Sequence, residues 1–268
     1  MSDRTESTPN PKTSTPPDEL RQIGFKKWDE DFQFLLERFR EVLSGVGESD
    51  MANLVHELFS GSRTVRSLLP PRGVQALSIA FQLLNMAEEN TANQIHRLRE
   101  TARGPAGEPG AWPESLLALR QSGFSEQQVR ASLARTHVQP VLTAHPSEAK
   151  RATVLDHHRE LYLLLLEREN PNRTPMELES IRQRIRSVLE RLWRTGEIAL
   201  KRRDVESEVR NTLHYLTNVF PGAVRLVANR FRQSWGWVFS EIDVPPEPQL
   251  SFGTWVGGDR DGNPFVTT

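Results

Sequence analysis

The stretch VLTAHPSEAKRATVL, residues 141–155, changes from one backbone pattern to another. A short apolar run ends at Ala144, and a histidine and a proline follow it. A pattern typical of a helix then begins at Ser147. The stretch therefore predicts a strand, an elbow and a helix in succession, with His145 in the elbow. The C-terminal end of a strand is where α/β barrels place their chemistry.

Outside this stretch, most of the chain shows the apolar spacing of three and four that indicates helices. Strands are predicted only at VQPVLTA, residues 138–144, and at LSFGTWVGG, residues 250–258. Two strands do not form a stable sheet alone. We therefore predict a mostly α fold with a few strands, the N-terminal portion of a helix-rich α/β barrel or sheet that is incomplete in this chain. The predicted helices cover residues 19–43, 49–61, 73–103, 147–169, 175–200 and 207–239, the last interrupted at Pro221 and Gly222. The helix at 49–61 begins with the cap residues Ser49 and Asp50. Two short helices are predicted after the loop at 104–113, and Ser125 and Gln128 form a capping box at the start of the second.

Bulk composition excludes several classes of protein. The 268 residues carry a net charge of −1 and no cysteine, which excludes disulfides and favours neither nucleic acid nor a membrane surface as a partner. The basic run at residues 180–203 is followed by acidic residues, and we interpret it as a solvated helix rather than a nucleic-acid site. Residues 1–18 are rich in Ser, Thr and Pro and are predicted to be a disordered tail without a targeting signal. A cytoplasmic protein is the expectation.

The elbow carries residues suited to proton transfer and to anion binding. An imidazole suits proton transfer near neutral pH, and the N–H groups at a helix start favour an anion. Arg151, in the same predicted helix, would make the elbow cationic. Taken alone, each residue also has a structural explanation, namely a histidine that ends a strand and an arginine on a solvated helix.

The second predicted strand runs into GTWVGGDRDGNPFVT, residues 253–267. Glycines on both sides place Asp259, Arg260 and Asp261 on a short loop. An EF-hand calcium loop is excluded because its glycine would be sixth rather than fourth and its terminal acid is missing. A hairpin tip would explain the glycines but not an arginine between two aspartates, which favours a positioned guanidinium.

Two motifs together, TAHPSEAKRAT and GTWVGGDRDGNP, resemble the phosphoenolpyruvate carboxylase family in their order and spacing. The resemblance includes LWRTGEI, residues 192–198, and EVRNTLHYL, residues 208–216. It covers about residues 137–268, whereas the first 136 residues agree with the family only in being helical. It implies three regions: the tail at 1–18, an N-terminal helical region at 19–136, and the first part of the catalytic barrel with inserted helices at 137–268.

The resemblance also implies an activity. Members of the family convert phosphoenolpyruvate and bicarbonate to oxaloacetate and phosphate, an anaplerotic carbon fixation, with Mg²⁺ or Mn²⁺ and without biotin. Their fold is an eight-stranded barrel among helices, and the complete enzyme is usually a homotetramer. By this resemblance His145 takes the proton of carboxyphosphate so that CO₂ is released beside the enolate. Trp255 lines the pocket for CO₂, and Arg151, Arg260 and Asp261 shape the substrate site.

The sequence departs from the family pattern at three positions. Ser147 replaces a threonine, Ala152 replaces an arginine, and Gly196 replaces an aspartate. The family's metal-binding carboxylates, second catalytic histidine and phosphate-binding arginines come from later sequence, so no metal ligand is predicted in this chain. We expect the 268 residues alone to be inactive. The alternatives are an inactive helical binding or interaction module derived from a truncated carboxylase, and a phosphoryl carrier at His145.

Overall fold

The computed structural model describes residues 17–62, 69–143, 152–195, 205–240, 243–256 and 258, and this part of the chain is mostly helical. The α-helices are α1 (Pro17–Gly45), α2 (Ser49–Phe59), α3 (Pro71–Arg103), α4 (Trp112–Gln121), α5 (Glu126–Leu133), α6 (Ala152–Arg168), α7 (Pro175–Thr195), α8 (Val205–His214) and α9 (Phe220–Val238). A 3₁₀ turn covers Pro105–Gly107, and a π-helical turn covers Tyr215–Val219. The strands are β1 (His137–Val138), β2 (Val141–Leu142), β3 (Gln249–Leu250) and β4 (Gly253–Thr254).

The chain divides into two compact units, each made of separate stretches of sequence. Unit 1 takes the described residues within Met1–Gln22, Ile95–Ala144 and Asp204–Thr268, and unit 2 takes those within Ile23–Gln94 and His145–Arg203. Both predicted strands therefore belong to unit 1. The helix that follows the elbow, α6, belongs to unit 2.

The core of unit 2 is built from the apolar faces of its helices. Helix α7 shows the reason most clearly, since its apolar residues recur every three or four positions and lie on one face. These residues are fully buried, and Trp193 at the end of the same helix packs edge-on against Phe39 with ring centroids 6.2 Å apart. The buried residues of α7 are Ile181, Ile185, Val188, Leu189, Leu192 and Trp193.

Unit 2 also buries a group of charged and amide side chains. Asp31 is only 1% exposed and accepts hydrogen bonds from Asn90 at 2.8 Å and from Arg168 at 3.2 Å, besides an ion pair with Lys27. Glu169 accepts a hydrogen bond from the same Asn90 at 2.6 Å. Buried charges are tolerated when they are paired and hydrogen-bonded, so this group joins α1, α3 and the end of α6.

The core of unit 1 lies where α9 packs on α4 and α5. Phe231, Trp235 and Val238 of α9 are buried against Leu116 of α4 and Val129 of α5. Trp112 adds an edge-on contact with Phe231, with ring centroids 5.0 Å apart. These contacts hold the second half of α9, from Phe231 to Val238, against α4 and α5.

The structure confirms the helix pattern and corrects details of it. The capping box predicted at Ser125 and Gln128 is present at the start of α5. At α2, however, the N-cap is Glu48, and Ser49 is already helical. Pro221 does not interrupt a helix, because it lies in the first turn of α9, where a missing N–H costs no hydrogen bond. The irregularity precedes it, at the π-helical turn.

The predicted strands are both present, but each is divided into two short segments. Pro140 lies between β1 and β2 and has no N–H to donate to a neighbouring strand, which accounts for the break. No helix within the described ranges is long and apolar enough to cross a membrane.

Candidate active site

The two predicted strands lie side by side and run parallel. β1 pairs with β3, and β2 pairs with β4, in one common register that matches His137 with Gln249 and Leu142 with Thr254. Four backbone hydrogen bonds continue through the break at Pro140, at N···O distances of 2.9 to 3.1 Å. They run from Gln249 to Thr136, Ser251 to Val138, Gly253 to Pro140 and Trp255 to Leu142. The segments therefore act as one parallel strand pair, residues 136–142 with 249–255.

Parallel pairing brings the C-terminal ends of both strands to the same edge. The last ladder bond joins Trp255 to Leu142. In the sequence, His145 follows Leu142 by three positions, and the segment GGDRDGNP follows directly after Val256. Both motifs singled out in the sequence thus leave the strand pair at the same end.

The two faces of the strand pair differ in character. Side chains alternate along a strand, so Phe252 and Thr254 lie on one face and Gly253 and Trp255 on the other. The ring of Phe252 stacks on Phe220 at the start of α9, with centroids 4.5 Å apart and planes 22° apart. The face that carries Phe252 is therefore turned toward α9, and Trp255 lies on the opposite face, 58% exposed.

Of the site residues predicted from the sequence, Trp255 lies within the described structure. His145, Arg151, Arg260 and Asp261 lie outside the described residues, as do Ser147 and Gly196 among the departures. Ala152 is the first residue of α6. The structure therefore brings together the strands that lead to the predicted site residues, and of those residues it describes Trp255.

A cross-strand contact was not foreseen from the sequence. His137 and Ser251 are 114 residues apart in sequence, and their Nε2 and Oγ atoms are 2.7 Å apart. The pair lies on the same face as Trp255, toward the N-terminal end of the strands. Only the strand register could have revealed it, and that register is not encoded in either segment alone.

No group of three or more histidine or acidic side chains within the described ranges is placed to hold a metal ion. The described residues therefore offer no fit for Mg²⁺ or Mn²⁺. The groups with a clear pKa shift, His157, Glu177 and Glu179, lie on α6 and α7 rather than at the strand ends.

Comparison with known proteins gives one consistent family. The family described as phosphoenolpyruvate carboxylase matches residues 30–268. The chain is 33% identical over 216 residues to the phosphoenolpyruvate carboxylase of Methylorubrum extorquens, covering 80% of this chain and 23% of that protein. It is 34% identical over 199 residues to that of Ralstonia nicotianae, covering 72% of this chain and 20% of the relative.

A third relative, the phosphoenolpyruvate carboxylase of Nitrosomonas europaea, is 29% identical over 230 residues, which is 86% of this chain and 24% of that protein. The matched part is the N-terminal part of the enzyme. The chain thus spans between a fifth and a quarter of the length of these curated relatives.

Proposed function

This chain belongs to the phosphoenolpyruvate carboxylase family, and from that premise we propose that it supplies the N-terminal part of the active site. The reaction would join phosphoenolpyruvate and bicarbonate to give oxaloacetate and phosphate. The observation that supports this proposal best is the parallel strand pair in one register, because both family motifs begin at its common end.

His145 is the proposed acceptor of the proton of carboxyphosphate. Loss of that proton allows the bond between the carboxyl carbon and the phosphate oxygen to break, which releases CO₂ next to the enolate. The position of His145 in the sequence supports this role. The predicted strand ends at Ala144 and His145 directly follows it. The C-terminal end of a strand is where α/β barrels place their chemistry.

Trp255 is the proposed wall of the CO₂ pocket. Its large exposed indole at the end of the strand supports this role, since a small apolar molecule needs an apolar surface that excludes water. Arg260, between Asp259 and Asp261, and Arg151 after the elbow would supply fixed positive charge for the phosphate and carboxylate of the substrate.

The strand pair would form two of the eight strands of the family barrel, in the region 137–268, with 19–136 as the helical region before it. Val138, Val141 and Leu250 are each about half exposed, as expected for strands whose neighbours come from elsewhere in a barrel. The complete enzyme would be a cytoplasmic homotetramer. Its Mg²⁺ or Mn²⁺ would polarise the substrate, and we assign no ligand to it in this chain.

A chimera tests the proposal. Residues 30–268 would replace the matching part of the Methylorubrum extorquens enzyme, and oxaloacetate would be followed through NADH oxidation by malate dehydrogenase. The proposal predicts an active chimera and a loss of about a hundredfold or more in kcat for His145→Gln, the usual scale for removal of a proton-transfer group. His56→Gln, a change of an exposed histidine on α2, is the matched control and should leave kcat unchanged.

A folded but inactive chimera would refute the carboxylase proposal and favour the helical interaction module. A fully active His145→Gln chimera would instead refute the role of His145 alone. Circular dichroism and the tetramer mass separate both results from simple misfolding.

A further inference from the structure

A ring stack connects the strand that ends at Trp255 to α9. The rings of Phe252 and Phe220 have centroids 4.5 Å apart and planes 22° apart. Phe252 lies between Ser251 and Gly253, and the backbone N–H groups of these two residues both donate hydrogen bonds to the strand at residues 136–142. The stack thus holds the strand at the point where its pairing is made.

Helix α9 gives this stack a fixed base. Its second half is buried in the core of unit 1, where Phe231 and Trp235 are fully buried and Arg120 of α4 donates a hydrogen bond to the carbonyl of Val238. Its first half is much more exposed, with Leu226 at 61%. At that exposed end, Phe220 is half-buried against the strand.

The π-helical turn before α9 sets the direction of Phe220. The N–H of Phe220 donates to the carbonyl of Tyr215, five residues earlier, rather than four as in an α-helix. A π turn takes one extra residue, which rotates the following side chains relative to the helix before it. The ring of Tyr215 lies 6.3 Å from that of Phe220 and extends the aromatic contact.

We propose that Phe220 and Phe252 are positioning residues for Trp255. Their stack holds one face of the strand, Trp255 emerges from the other face three residues later, and the final ladder bond to Leu142 depends on the strand staying in place. The proposal rests on the proposed function in taking Trp255 as a wall of the CO₂ pocket. The positioning itself is a property of the free chain.

The test uses the 268-residue chain without substrate. Amide hydrogen exchange reports the ladder bonds of Gly253 and Trp255, and ¹⁹F spectra of the chain labelled with 5-fluorotryptophan report the Trp255 ring, assigned with Trp255→Phe. In Phe220→Leu and in Phe252→Leu, these two amides should exchange about tenfold faster, the scale of one lost aromatic pair. The Trp255 resonance should shift, while that of Trp235 stays in place.

Two further variants separate positioning from general stability. Phe220→Tyr retains the ring, so the exchange rates of the Gly253 and Trp255 amides and the Trp255 resonance should stay as in the wild-type chain. Phe124→Leu, at a phenylalanine that is 48% exposed between α4 and α5, is the matched control and should leave both unchanged. Phe220→Leu and Phe252→Leu each remove one ring of the same stack. If one of them fails to fold, the other still tests the proposal.

Equal acceleration of exchange at these amides and throughout α4, α5 and α9 would overturn the proposal, because the stack would then be an ordinary core contact. No change at Gly253 and Trp255 would overturn it as well. An inactive chimera alongside a selective effect on these amides would refute the carboxylase function and leave the positioning intact.

Discussion

Among the described residues, His157, half-buried on α6, has surroundings that oppose a positive charge. Burial lowers the pKa of His157, and Arg191 on α7 lowers it further, while Glu160 and Asp156 act in the opposite direction without outweighing them. The folded protein therefore binds a proton at this site at a lower pH than an ordinary histidine does. The unfolded chain binds it near the ordinary value of about 6.5.

From this difference we predict that the contribution of His157 to the free energy of unfolding decreases as the pH falls below about 6.5 and levels off below its folded pKa. The loss follows because protonation then favours the unfolded chain. His157→Gln should reduce the slope of stability against pH between pH 7 and pH 5 in urea unfolding. His56→Gln is the control. An identical slope in the wild-type chain and in His157→Gln would contradict the prediction.

At the scale of elements, the start of α7 shows how a local sequence fixes a helix boundary. The Thr174 hydroxyl accepts a hydrogen bond from the N–H of Glu177 at 3.3 Å, and the Glu177 carboxylate accepts one from the N–H of Thr174 at 2.8 Å. This reciprocal pair is a capping box, and Pro175 occupies the first helical position. Hydrogen bonding to Thr174 and then to Arg173 also lowers the pKa of Glu177.

We predict that Thr174→Ala lowers the free energy of unfolding by about 1 kcal/mol, because the side-chain cap is lost. Ser180→Ala, an exposed change within the same helix, should be neutral or slightly stabilising. Urea unfolding followed by circular dichroism measures both. Equal stabilities for the two variants would show that the box contributes nothing to α7.

The elements also show which parts of the fold could be predicted. Helix α3 was expected at 73–103 and is observed at Pro71–Arg103, because its apolar period is complete within its own sequence. The parallel pairing of the strands could be expected from the family resemblance, but not the contact of Phe220 with Phe252. That contact depends on the π-helical turn, and no local spacing signals one.

The roles of the candidate site residues stay predictions, and only part of their geometry follows from the sequence. The motif GTWVGGDRDGNP predicts Trp255 as a site residue, and the structure places Trp255 at the end of a paired strand. The hydrogen bond from Trp255 to Leu142 and the contact of His137 with Ser251 depend on a register between segments more than a hundred residues apart. Such non-local geometry cannot be derived from one sequence without the fold.

At the scale of the whole molecule, the strand pair leaves apolar surface uncovered. Val138, Val141 and Leu250 are 49%, 45% and 40% exposed, and within the described residues the two strands pair only with each other. Open strand edges with apolar side chains favour association between chains.

We therefore predict that the 268-residue chain self-associates as its concentration rises through the micromolar range. Val138→Lys and Leu250→Lys should suppress this, because a charge on the strand opposes edge pairing. Val74→Lys, a change of a valine 47% exposed on α3, is the control. Light scattering after gel filtration gives the mass. A monodisperse monomer at every concentration would contradict the prediction and favour the independent interaction module.

The segments of the two units alternate along the sequence, and this order has a consequence during biosynthesis. Unit 2 has all its segments once the ribosome has passed Arg203, whereas the strand at 136–142 must wait for its partner at 249–255. At about ten residues per second, synthesis from Arg203 to Trp255 takes about five seconds. During this time the nascent chain contains all the segments of unit 2, while the apolar strand at 136–142 is still unpaired. That strand is the segment a ribosome-associated chaperone would be expected to bind first.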